Sequence, residues 1–115
     1  MKVMISQPMN GRSKEDIQKE RQAIIENFKR MHIEVVETLF TDEPPKGCNE
    51  AVYYLGKSIS AMKDIDAIYM CHGWGSARGC CIEHEVARQY NIKILYDNFF
   101  YNANENITET IKRFK

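Results

Sequence analysis

The sequence predicts an α/β protein: a flavodoxin-like three-layer sandwich around a mostly parallel sheet of four to five strands. Three observations predict it. Short apolar runs alternate with longer segments of helical period, in the order β-α-β-α-β-α-β-α. Such alternation implies a mostly parallel sheet with helices on both faces. The most glycine-marked stretch, His72-Gly73-Trp74-Gly75-Ser76-Ala77-Arg78-Gly79, falls between the third strand and the third helix, where open α/β sheets bind ligands. Finally, 115 residues, 43% hydrophobic and 28% charged, suit one domain over 1–115 with a single core.

Lys2 to Ser6 (KVMIS) is a strand-length apolar run stopped by Gln7-Pro8-Met9-Asn10-Gly11. Ser13 can cap the N–H of Asp16, which can reach back as in a capping box. Ile17, Ile24, Phe28 and Met31 then recur at helical spacing, so the helix runs to about Met31. His32 to Leu39 alternates as a second strand. Pro44 and Pro45 forbid regular structure in the loop after it. Asn49 can cap a second helix carrying Val52, Leu55, Ile59 and Met62. Asp66 to Cys71 forms a third strand, Cys80 to Tyr90 a third helix and Ile92 to Tyr96 a fourth strand. A closing helix is expected from Ile107 to Phe114.

Sixteen basic residues balance sixteen acidic ones. Without a basic field, duplex nucleic acid is not an expected partner. A small nucleotide needs only an arginine and a few backbone N–H groups, so it remains open. No run approaches the roughly 18 apolar residues of a membrane span, and the N-terminus lacks the pattern of a signal peptide. The expected location is the cytoplasm, with Cys48, Cys71, Cys80 and Cys81 as reduced thiols.

In a flavodoxin-like strand order the first and third strands are neighbours, and the ligand crevice lies beyond their carboxyl ends. The loops Gln7 to Arg12 and His72 to Gly79 face it. On a helical wheel of about 100° per residue, Ile82, Val86 and Tyr90 mark the apolar stripe of the third helix, with Glu83 inside it. A buried carboxylate is costly unless something uses or satisfies it. In the first helical turn at a crevice, it is also placed to attack a sugar carbon. The plainer alternative is a glutamate that merely caps its helix.

Other constellations have plain alternatives too. Cys80 and His84 could share a helix face as zinc ligands. Their spacing is not that of an established site, so ordinary thiols are expected, with no metal and no cofactor. Trp74 could stack on a nucleobase or pack on its own domain. Arg12 and Arg78 are phosphate-ligand candidates or surface arginines. Phe99, Phe100 and Tyr101 suit a core cluster or an oligomer contact.

The segments MKVMISQPMNGRSKED, YYLGKSI, DAIYMCHGW and ARGCCIEHEVA, across about residues 1 to 96, resemble a small phage and bacterial family of unknown function. That family is related to nucleoside 2-deoxyribosyltransferases and 2-deoxynucleoside 5'-monophosphate N-glycosidases. Those enzymes are flavodoxin-like and carry a nucleophilic glutamate in a pattern like G-x-x-x-E-x-G-x-A. Gly79, Glu83 and Ala87 match it; Glu85 stands at the second glycine. The resemblance implies Glu83 as nucleophile and Asp66 as an assisting acid or positioning group. It further implies sugar or phosphate contacts from Gln7, Asn10, Gly11 and Arg12, with Ser76 also on phosphate. The sequence departs at Ala77, where the enzymes have an aspartate or serine. It also has Gln7 and Pro8 where transferases often carry a tyrosine. Relatives often complete their sites across subunits, which implies a homo-oligomer.

Two functions follow as expectations. One is an N-glycosidase or 2-deoxyribosyltransferase that cleaves or transfers the glycosidic bond of a nucleoside or nucleotide. The alternative is a non-catalytic module on the same fold that binds or sequesters a nucleotide.

Overall fold

The computed structural model describes residues 1–100. The closing helix expected at 107–114 and Tyr101 of the aromatic cluster lie outside these residues. Four strands, β1 (Lys2–Ser6), β2 (Glu34–Val36), β3 (Ala67–Met70) and β4 (Lys93–Tyr96), form one sheet in the order β2-β1-β3-β4. Every neighbouring pair is parallel. Three α-helices connect them: α1 (Lys14–Arg30), α2 (Glu50–Ala61) and α3 (Arg78–Gln89). The fold is the flavodoxin-like sandwich that the alternation predicts.

Alternation along β1 builds two cores. Val3 and Ile5 join Ile24 and Phe28 of α1, Ala67, Tyr69 and Cys71 on one face. Met4 joins Ile68, Met70, Cys80, Ala87 and Met62 on the other, under α2 and α3. Phe28 anchors the first layer: its ring meets Tyr69 edge-on at 5.6 Å and Phe100 at 4.6 Å. This puts Phe99 and Phe100 in the core, the first of the two roles expected of them.

The helix starts follow local chemistry. The Ser13 hydroxyl accepts the Asp16 N–H at 3.1 Å, and Asn49 accepts the Val52 N–H at 3.1 Å. These bonds satisfy donors that a helix start otherwise leaves free.

Three expectations need correction. β2 covers three residues, not eight. It is an edge strand, and side chains capture its end: the Leu39 N–H donates to Glu37 Oε1 at 2.6 Å, and Arg21 Nη2 donates to Glu37 and Thr38. Val52 is 61% exposed and not part of the buried face of α2; that helix ends over the sheet through Met62 instead. On α3 the buried line is Cys80, Glu83 and Ala87, whereas Ile82 and Tyr90 are exposed. Small side chains face the sheet, and the bulkier Ile82 follows the line of Gly79, the point where α3 approaches Leu55 of α2.

Candidate active site

The chain leaves β1 toward α1 on one face of the sheet and leaves β3 toward α3 on the other. In this topology the place for a ligand crevice is beyond the carboxyl ends of these neighbouring strands. The two loops that border it meet closely. The Cys71 N–H donates to the Ser6 carbonyl at 3.0 Å. A Cβ placed on Gly73 would lie 3.9 Å from the Pro8 ring, and the φ of Gly73 is +83°. That left-handed backbone favours glycine, so the loop turns here without strain.

Glu83 projects from α3 toward the end of β1 and is 8% exposed. Ser6 Oγ donates to Glu83 Oε1 at 3.0 Å, inside the protein. Burial pushes the Glu83 carboxyl up to about 7, while the Ser6 hydroxyl bond and the positive charge of Arg21 pull it down. Near neutral pH it is thus available as both acid and anion, which suits chemistry at a reacting centre. α3 begins at Arg78, two residues earlier than expected, so Glu83 lies in the second helical turn and not the first. The helix terminus is correspondingly less important to its charge, because the dipole acts mainly within the first turn.

The remaining candidates divide into three groups. Gln7 and Arg12 border the crevice but are tied to α1. Gln7 Nε2 and Arg12 Nη1 each donate to Glu20 Oε1 at 2.8 Å, and Arg12 also donates to the Pro8 carbonyl. Asn10 and Gly11 form the exposed turn between them, with Gly11 at φ +74°. Trp74, Ser76, Arg78 and Gly79 lie on the opposite bank. Ser76 ends a short 3-10 turn, Trp74–Ser76. Arg78 and Gly79 open α3, with Arg78 exposed. Trp74 has one ring face stacked on His84 at 4.2 Å, so at most its other face is open to a base.

Asp66 is the one candidate the fold removes from the site. It accepts the Lys2 N–H at 2.7 Å, at the amino end of the sheet. Glu83 meets β1 at Ser6, the other end. Four residues of strand, about 13 Å, separate the two positions, so Asp66 cannot assist at Glu83. The reason is strand direction: in a parallel sheet a residue that opens a strand lies opposite the carboxyl-end crevice.

Sequence reading missed Ser6 and Arg21. Ser6 ended an apolar run with no motif around it; only the even-numbered face it shares with Met4 could have pointed to it. Arg21 is 3% exposed on α1. Its Nη2 bonds Glu37 and Thr38, while Nε and Nη1 are buried without a partner among the described residues. A guanidinium inside a helix rich in charged residues gives no sign of burial in sequence.

Cys80 and His84 do not form a ligand pair. Cys80 is buried, whereas His84 stacks on Trp74 and its Nε2 lies 2.9 Å from the Tyr96 hydroxyl. Among the described residues no three His, Cys, Asp or Glu side chains converge on a metal position, and no helix is long and apolar enough to cross a membrane. A cleft of about 460 Å³ lies away from Glu83, between α1 and the chain after β2, where Glu15, Arg21, Glu37 and Leu39 line it. Chemistry and topology favour the crevice over this cleft, because the cleft sits on the α1 face of the sheet and contains neither Glu83 nor either crevice loop.

No curated protein and no solved structure matches the chain. A family model described as a domain of unknown function, DUF4406, matches residues 1–96. That span holds all four strands, both crevice loops and Glu83, and the chain belongs to the DUF4406 family.

Proposed function

We propose that the protein cleaves or transfers the N-glycosidic bond of a nucleoside or nucleotide, with Glu83 as the nucleophile. The observation that carries this reading is a single desolvated carboxylate, held by a buried hydrogen bond, at the carboxyl-end crevice of the sheet. In the first step a Glu83 oxygen bonds to the anomeric carbon as the carbon–nitrogen bond breaks. The base leaves with that electron pair and takes up a proton from solvent. In the second step water, or another base, attacks the anomeric carbon of the glycosyl ester. The carboxylate is regenerated, and water's proton returns to solvent. Trp74 offers a surface for the base, and Arg12 and Ser76 are candidates for a phosphate.

The test is base release. Purified protein is incubated with ribo- and deoxyribonucleosides, their 5'-monophosphates and dinucleotides, and free base is followed by chromatography. Release by wild type and not by Glu83→Gln supports the reading. Binding of one of these compounds with no release from any supports a second reading, a nucleotide-binding or sequestering module. One observation favours that alternative: Asp66 lies at the far end of the sheet, so it supplies no acid at Glu83.

A further inference from the structure

Ser6 is almost wholly buried, 1% exposed, at the carboxyl end of β1. Its hydroxyl has one proton, and the geometry gives that proton to Glu83 Oε1. The second carboxylate oxygen, Oε2, accepts no hydrogen bond among the described residues. It is also absent from the buried unpaired atoms, which are Gln7 Oε1 and Arg21 Nε and Nη1. One oxygen is held from the sheet side, and the other has no partner among the described residues.

We infer that Ser6 is the positioning residue of Glu83: its hydroxyl fixes Oε1, favours the ionised carboxylate and leaves Oε2 as the atom that meets a ligand. As a statement about catalysis this rests on the glycosidic reading of the site; as a statement about the carboxylate it does not. A hydrogen bond to the charged form of an acid favours that form, and a buried donor does so more strongly than an exposed one. Among the described residues, the groups that act on Glu83 are few. From β1 there is the Ser6 hydroxyl, from α1 the Arg21 charge, and from its own helix the Cys80 thiol. Burial pushes that thiol up to about 11, so it stays neutral at Glu83's titration range.

The test follows the ¹³C signal of the Glu83 side-chain carboxyl through its titration in wild type, Ser6→Ala, Ser6→Thr and Cys80→Ala. Ser6→Ala removes one oxygen and adds no volume. Its midpoint should rise by about one pH unit. Ser6→Thr keeps the hydroxyl and should return the midpoint toward wild type. Cys80→Ala alters packing beside the same carboxylate without removing the donor to Glu83, and should leave the midpoint in place. No movement in Ser6→Ala, or an equal movement in Cys80→Ala, overturns the role assigned to Ser6.

Base release separates this proposal from the reading beneath it. With a midpoint raised by one unit, Ser6→Ala should lose about five-fold in kcat at neutral pH, regain it at alkaline pH and keep its KM. Wild-type base release with an identical pH profile in Ser6→Ala leaves the glycosidic reading standing and overturns the role of Ser6. A midpoint shift in Ser6→Ala together with no wild-type base release supports the hold of Ser6 on Glu83 and removes the glycosidic reading.

Discussion

Glu83 and Glu85 stand two residues apart on α3 and differ in almost every physical respect. Glu83 faces the sheet, and burial pushes its carboxyl up to about 7. Glu85 faces solvent, where its hydrogen bonds from Arg88 and Gln89 hold its carboxyl down at about 2. Arg88 reaches Glu85 with two nitrogens, at 3.0 and 2.7 Å. The same chemical group on one helix is thus poised in one place and permanently ionised in the other. Residue type does not assign a role here; the face of the helix does.

The largest expected effect breaks this symmetry directly. Glu83→Gln should lower base release by about 10³-fold or more, since it removes the proposed nucleophile. Glu85→Gln should leave the rate unchanged. Equal losses in the two variants, measured by chromatography of free base, would remove Glu83 from its special position.

The second effect is on stability, and its sign follows from the direction of the shift. The folded protein holds the Glu83 proton more tightly than the unfolded chain does, about 7 against the ordinary 4.5. The stability from this proton is fully present below pH 4.5, declines as pH rises toward about 7, and is absent above that. Glu83→Gln should therefore stabilise the fold in alkaline buffer by up to about 3 kcal/mol, with the gain vanishing in acid. Denaturant titrations on both sides of neutrality read this. Activity has the opposite pH dependence: if the carboxylate is the nucleophile, kcat should rise with pH through about 7.

A smaller effect separates the helix starts. α1 and α2 have side-chain caps, Ser13 and Asn49, whereas Ala77 at the start of α3 offers none. Its φ of −108° and ψ of 118° already suit a capping residue. Ala77→Ser should add about 1 kcal/mol of stability. Ser13→Ala should remove about the same amount. If Ala77→Ser also weakens nucleotide binding, the open N–H groups at the start of α3 belong to the binding surface.

The smallest effect concerns Arg21. Its charge favours the ionised Glu83 less strongly than the Ser6 hydrogen bond does. Arg21→Met should raise the Glu83 midpoint by about half a unit or less. A shift larger than that of Ser6→Ala would reverse the order of the two influences.

Much of this arrangement was legible in sequence, and the parts that were not have a common cause. Strand and helix alternation, both side-chain caps and the crevice loops follow from periodicity and local hydrogen bonding, which act over a few residues. The buried stripe of α3 was misread because apolar size suggested Ile82 and Tyr90. The close approach of the helix to the sheet selects Cys80 and Ala87 instead. Asp66 was misplaced because resemblance matches residues and not the end of the sheet on which they lie. Ser6 and Arg21 were invisible because their partners are remote in the chain: Ser6 meets a residue 77 positions away, and Arg21 reaches across to Glu37 and Thr38 beside β2.

The sequence by itself determined the order of elements and where most helices start, because each depends on the period of a segment and the chemistry of its ends. Only the tertiary structure decided which face of α3 is buried and what surrounds Glu83. The parallel pairing of β1 with β3 fixes which strand end faces the crevice, and the packing of α3 over β1 brings Ser6 to Glu83. Desolvation and one hydrogen bond from a distant strand are properties of a packed core, and no local pattern encodes them.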